Sequence, residues 1–439
     1  MTRILLQAPG ERRISPGAGA SVFHLDEPGT PGLPIHHNLH HLLALHGAEA
    51  AEAQAALLTA IGVWAADKFL ARAAAKDAWT REIVLEAPAS PRFAATAEPV
   101  NRLLTFLTGD RWQVKFRRAE VNLGLKGRWP HPWKPDAVLL FSGGLDSLAG
   151  AVDFLADNRR LLLVSHYDYG QLARVQQALA AALSDHFGPG RCHHLSLRLQ
   201  FGCSPELTLR SRSLLYLTLA MSAAAAFGPG MPVVVPENGW ISLNPPLTPN
   251  RLGTYSTRTT HPLTLEMVAG LWRMAGLAHP LENPYQRVSK GELAAQNGEP
   301  GLLKRLAPLS VSCARPVASR WQGQAAAACG YCYPCLLRRA ALHRVGWDEA
   351  RHYRFDALTD PSLLRHRVMG SDLRALLLGL RTWRTRPADL LARVLLDGQQ
   401  DSVATRLAAG RRLLAAGFQE VERLLADKGG GWLWAYAGL

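Results

Sequence analysis

Long apolar runs are absent from this 439-residue sequence. With no stretch of ~18 uninterrupted apolar residues, a membrane-spanning helix is not expected. The apolar run in the opening MTRILLQAPGERR stops after three residues, which argues against a secretory signal and sets a cytoplasmic expectation. A long basic arm is also missing. The formal charge of +14, from 49 Lys+Arg against 35 Asp+Glu, is spread over the whole chain. Arg far outnumbers Lys and Ala is abundant, so biased composition explains the surplus as readily as a polyanion-binding face. A nucleic-acid partner therefore stays open without being favoured. Internal repeats are absent, and disorder has little room in a composition that is 48% hydrophobic and 19% charged. Cysteine is scarce too. Of six, four crowd into positions 313, 329, 332 and 335, which points to a metal site rather than disulfides. Cys192 and Cys203 stand apart and read as ordinary semi-buried residues.

The length exceeds one ordinary core and suggests two or three domains. Residues 1–133 read as a small α+β domain. They hold Gly- and Pro-rich loops, a long Ala/Leu-rich helix over about 48–76, strands at 79–85 and 112–118, and a short helix at 100–107 between them. A Pro-rich linker at 128–135 ends that region. Residues 134–342 alternate apolar strands (137–141, 161–165, 194–197, 232–235) with helices (146–156, 171–187, 211–226). That alternation predicts an α/β, doubly wound parallel sheet. Residues 343–439 are helical by pattern, with breaks expected near Gly370, Pro387 and Gly410. The stripe Leu214, Leu217, Met221 reads as core, and His166, His193 and His194 as structural.

The strand at 137–141 runs into Ser142-Gly143-Gly144-Leu145-Asp146-Ser147 and then a helix. Phosphate binding needs that arrangement: glycines admit a tight turn, and N–H groups at the helix start point at the anion. Ser142 and Ser147 add hydroxyl donors. Asp146 meets phosphate best through a bridging Mg²⁺. The P-loop pattern G-x-x-x-x-G-K-[ST] is absent, and no Lys lies in the loop. The plainer alternative is a Gly-Gly turn with Ser and Asp capping a helix, but its place in an α/β alternation favours phosphate binding. The four cysteines match a closed tetrahedral zinc site that pins a loop. An iron–sulfur cluster with four thiolates is the alternative.

With these motifs in place, the sequence resembles the PP-loop ATP pyrophosphatases (adenine nucleotide alpha hydrolase-like), which release pyrophosphate from ATP while transferring AMP to an oxygen. SC…CGYCYPCLLRRAAL resembles the C…CGxCxxCxxR motif of QueC-like enzymes, the 7-cyano-7-deazaguanine synthases. Tyr169-Gly170-Gln171 also matches. Arg212 falls where that family begins a P-x-RN-x-x-F helix, with Ser213 replacing Asn. Lys290 in VSKGE matches a Thr-Lys-x-Glu segment, with Ser289 replacing Thr. The resemblance covers roughly 136–342. It departs at 236–262, PENGWISLNPPLTPNRLGTYSTRTTHP, where the family has D-x-x-G-Y-P-D-C-R. The longer architecture looks like the QatC type of QueC-like protein found in Qat anti-phage defence systems.

The resemblance implies adenylation of 7-carboxy-7-deazaguanine by an AMP-forming, ligase-like chemistry using ATP, Mg²⁺ and Zn²⁺. An amine then displaces AMP, and the QatC-like architecture implies the N-terminus of a partner protein encoded in the same operon. Asp146 would hold the metal, Lys290 would offset developing charge, and Arg258 would meet phosphate or carboxylate. Glu237, Asn238 and Asn244 are candidates for nucleotide or substrate contacts, with Arg251 and His261 as further anion ligands. The ordinary alternative is that these loop residues satisfy their own backbone. Ammonia-using synthesis of the nitrile, RNA modification and a non-catalytic nucleotide sensor are the rival functions.

Overall fold

The computed structural model describes residues 1–12, 14, 19–26, 29–119, 121–128, 132–202, 204–206, 210–252, 257–314, 327–395 and 403–439. Cys203 lies outside them. The N-terminal region contains β1 (Thr2–Gln7), β2 (Ala20–His24), β3 (Leu33–Pro34), β4 (His36–His37), α1 (Ala50–Phe69), β5 (Glu82–Ala89), α2 (Pro91–Ala94), α3 (Ala97–Thr108) and β6 (Arg111–Arg118). Five of its strands form a sheet in the order β3-β2-β1-β5-β6. Every pairing in that sheet is parallel. The alternation in β6 fits its place at the sheet edge, and α1 and α3 serve as crossovers. The strand expected at 79–85 starts later, because the Asp77 carboxylate accepts N–H bonds from Trp79 and Thr80 and holds a turn there.

The central region runs β7 (Ala137–Leu140), α4 (Leu145–Ala156), β8 (Leu161–Tyr167), α5 (Gly170–Phe187), β9 (Cys192–Gln200), α6 (Arg212–Ala225) and β10 (Val233–Val234). It continues through α7 (Gly239–Leu243), α8 (Pro262–Ala275), β11 (Leu281–Glu282), α9 (Lys290–Ala295), α10 (Pro300–Leu306) and α11 (Tyr333–Arg344). The sheet order is β11-β10-β7-β8-β9-β4. Five strands are parallel, and β4 adds an antiparallel edge to β9. The α/β doubly wound expectation holds. The chain leaves β7 toward β8 on one side and returns as β10 on the other. That places the crevice at the carboxyl end of β7, where open α/β sheets bind ligands.

Four helices follow: α12 (Ser371–Thr385), α13 (Pro387–Leu395), α14 (Val403–Lys428) and α15 (Gly431–Ala437). The expected break at Gly410 does not occur. Gly410 sits inside α14, buried against Leu391 and Val394 of α13, where a small residue allows close packing. Core packing ignores the expected boundaries. One apolar cluster joins Ile4, Phe23 and Trp64 to Val138, Leu162, Leu214, Leu217 and Met221. A second fills the space under α4 and α5. A third unites Trp240 and Leu336 with the C-terminal helices. Among the described residues no helix is long and apolar enough to cross a membrane.

Candidate functional site

At the carboxyl end of β7 the backbone turns through Gly143, whose φ of +82° lies in the left-handed region that suits glycine. Gly144 precedes the first residue of α4, and Val311 donates its N–H to the Gly143 carbonyl at 2.8 Å. The Ser142 and Ser147 hydroxyls lie 3.2 Å apart on one side of the turn. The Gly144 N–H donates to Ser142 Oγ at 3.3 Å, and the Leu145 N–H donates to Ser312 Oγ at 2.9 Å. A hydroxyl therefore lies against the helix-start amides that an anion would use. Ser312, one residue before Cys313, was not singled out from the sequence. Its signal was there, since the serine in SC sits beside a candidate metal ligand.

Asp146, in the first turn of α4, is buried, and its two carboxylate oxygens have different partners. Lys290 Nζ donates to Oδ1, while Asn238 Nδ2 donates to Oδ2 at 2.6 Å. Glu237 faces the same carboxylate. Burial alone would raise the Asp146 pKa, but the Lys290 ammonium and the Glu237 and Asn238 hydrogen bonds hold it down to about 2. Burial and the neighbouring Asp146 push Glu237 well above the usual carboxylate range. The two adjoining carboxylates beside a phosphate-type loop are hard oxygen donors of the kind Mg²⁺ takes. The local sequence explains the placement. Ser289 caps α9 in a reciprocal box with Glu292, so Lys290 opens that helix. Asn238 caps α7 by accepting the Ile241 N–H at 3.1 Å, which leaves its amide for Asp146.

Tyr169, Gly170 and Gln171 start α5 at the end of β8. Burial raises the Tyr169 phenol to about 12. Arg212 opens α6 and reaches Asp168 at 4.0 Å, and Lys68, from the last turn of α1, donates to Asp168 at 2.8 Å. Lys68 and Asp168 were missed in the sequence because they lie 100 residues apart. Asp67, the neighbour of Lys68, is fully buried and accepts the Ser211 N–H at 3.1 Å. It thereby ties the start of α6 to α1.

The Cys313, Cys329, Cys332 and Cys335 sulfurs lie within 4.8 Å of one another. Two pairs measure 3.9 and 3.8 Å. Zinc–sulfur bonds of about 2.3 Å give a tetrahedron with edges of about 3.8 Å, so the donor set fits one tetrahedral ion. A polynuclear cluster spreads its thiolates over several metal atoms and suits this compact set less well. The site adjoins the phosphate-type loop, since the Cys335 sulfur lies 3.7 Å from the Ser312 carbonyl. Cys192 is more buried than expected, and burial pushes its thiol up to about 11.

The candidate ligands Asn244, Arg251, Arg258 and His261 have other partners. Arg251 pairs with Asp372 at 2.6 Å, and Asn244 donates to the Thr257 carbonyl at 3.2 Å. His261 caps α8 through the Leu263 N–H. Arg258 lies over the Phe106 ring, 4.4 Å from its centroid, and donates to the Phe106 carbonyl at 3.1 Å. These two contacts of Arg258 are with α3. Among the described residues of this block, Glu237 and Asn238 touch Asp146. The three histidines behave as structural residues: His166 is fully buried, His194 bonds Ser165 at 2.8 Å, and the His193 ring meets Trp133.

Comparison with curated proteins finds 7-cyano-7-deazaguanine synthases. That of Novosphingobium aromaticivorans is 29% identical over 251 residues, covering 51% of this chain and 97% of its own length. The similarity is to QueC-type enzymes. The QueC-type protein of Leptospira interrogans is 27% identical over 235 residues, covering 48% of this chain and 88% of its own. That of Agrobacterium fabrum is 25% identical over 240 residues, covering 49% and 91%. Nearly a whole QueC-type chain therefore aligns with about half of this one. No family model matches, and no solved structure matches.

Proposed function

We propose that this chain is a QueC-like ATP pyrophosphatase of the QatC type that adenylates the carboxylate of 7-carboxy-7-deazaguanine and passes the acyl group to an amine. In this reading residues 134–342 form the catalytic unit, flanked by additions at 1–133 and 343–439. The observation that carries the proposal is the convergence of Asp146, Glu237 and Lys290 beside a glycine turn at the sheet's switch point. The carboxylate oxygen attacks the α-phosphorus, the bond to the β-phosphate breaks, and pyrophosphate leaves. The acceptor amine then attacks the acyl carbon, the C–O bond to AMP breaks, and the nitrogen loses a proton. The loop amides with Ser142 and Ser147 hold phosphate, and Tyr169, Gly170, Gln171 and Arg212 border the nucleotide. Asp146 and Glu237 are the carboxylates that would hold Mg²⁺, which when bound neutralises phosphate charge. Lys290 then turns from Asp146 toward the charge that develops on the phosphates.

The acceptor we propose is the N-terminal amine of a protein from the same anti-phage defence operon. The flanking regions, absent from relatives of half this length, offer the surface such an acceptor needs. Intact-mass analysis after co-expression with neighbouring gene products tests this. The partner is expected to gain the mass of an amide-linked deazaguanine. An unchanged partner together with free nitrile supports a second reading, an ammonia-using 7-cyano-7-deazaguanine synthase, which the names of the relatives favour.

A further inference from the structure

The C-terminal helix α14 touches the two segments that hold Asp146 in place. Glu420, only 4% exposed, accepts the Ser289 hydroxyl on one carboxylate oxygen and the Gly291 N–H at 3.2 Å on the other. These two residues flank Lys290, so one carboxylate brackets the lysine from both sides. Arg344 donates to Glu420 at 3.1 Å and pairs its charge. A Cβ on Gly291 would come within 2.5 Å of the Glu420 carboxylate, so the fit is close. One helical face further along, Arg412 joins Glu292 at 2.8 Å. On the other segment, the Phe418 ring meets Trp240 edge-on at 4.9 Å, two residues after Asn238. Gly417 leaves no room for a Cβ beside that indole.

A buried carboxylate is costly unless hydrogen bonds compensate it. Apart from Arg344, those made by Glu420 are spent on the turn that carries Lys290. We infer that Glu420 is a positioning residue for Lys290, and that α14 is a working part of the nucleotide site rather than an appended bundle. This inference rests on the adenylation reading for its catalytic consequence, but not for its structural one. It also gives the C-terminal region a role inside the site, separate from recognition of an acceptor.

The test uses the full chain with Glu420→Ala, Glu420→Gln and, as a control, Glu422→Ala, which lies on the same helix but pairs with Arg384 of α12. Hydrogen exchange of the peptide spanning 289–292 is measured beside ATP–pyrophosphate exchange kinetics. Glu420→Ala is expected to speed amide exchange in that peptide and to lower kcat about tenfold or more. The KM for ATP should stay within about threefold, the signature of an interaction needed in the transition state. Glu420→Gln, which keeps an acceptor oxygen, should recover most of both, and Glu422→Ala should match the parent. A folded Glu420→Ala protein with unchanged exchange at 289–292, or with unchanged kcat, overturns the inference. If the parent protein shows no pyrophosphate exchange at all, the adenylation reading falls. The amide-exchange result then still decides the positioning claim.

Discussion

The six-residue loop at 142–147 and the block at 236–262 meet where Asn238 bonds Asp146, yet they use their polar residues differently. In the loop, the Ser142 and Ser147 hydroxyls work with near neighbours: the Ser147 hydroxyl bonds the Gly144 carbonyl at 3.1 Å. In the block, partners are distant. Arg251 reaches Asp372, Arg258 reaches Phe106, and Asn238 reaches Asp146 across 92 residues. Local spacing therefore identifies the first kind of site. The second kind depends on which elements the fold brings alongside, and there most of the polar groups turn out to hold the loop together.

Disrupting the four-cysteine cluster should produce the largest effect, because it adjoins the loop through Ser312. Cys332→Ser or a strong chelator is expected to abolish binding of about one zinc per chain and to lower the melting temperature sharply. Structural zinc sites are worth about 10 kcal/mol or more of apparent folding energy. Metal analysis with thermal melts checks this, and a chelated protein that melts normally would detach the cluster from the loop. Next comes Lys290→Met, which leaves the buried Asp146 carboxylate without its cation. A loss of about 3–5 kcal/mol in chemical denaturation is expected, together with loss of nucleotide turnover.

Acidification should act on the structural histidines. Burial, with Arg212 nearby, lowers His166 to about 3, while burial lowers His194 and His261 to about 4, each from 6.5. Their folded pKa values lie below the unfolded ones, so the stability they contribute is present above pH 6.5. It is lost as pH falls toward 4 and 3. Melting temperature measured across this window should drop by more than about 5 °C. The smallest effect belongs to Arg258→Ala. Its contacts with Phe106 predict a loss of about 1 kcal/mol with activity within about threefold of the parent. A hundredfold loss of activity without loss of stability would instead place Arg258 among the catalytic groups and blur the contrast between block and loop.

The β7–loop–α4 unit and the four-cysteine cluster were legible in the sequence, because each rests on spacing within a short segment. The central α/β alternation was legible for the same reason. Parallel pairing in the N-terminal sheet was not, since short strands look alike whichever neighbour they meet. The two-residue β11 was missed because two residues carry no periodicity. Gly410 read as a break because its packing partners sit on another helix. Lys68, Asp168 and Glu420 escaped notice because charged side chains on helices and loops usually face water. Only the fold shows that they point inward.

The central claim is that Asp146, on the loop's helix, supports adenylation of a carboxylate. ATP–pyrophosphate exchange, measured with and without 7-carboxy-7-deazaguanine in the parent and in Asp146→Ala, tests it most directly. The account predicts exchange that requires the deazaguanine and falls by at least about a hundredfold in the variant. Exchange at the parent rate in a folded Asp146→Ala protein, or none in zinc-loaded parent protein, would contradict it.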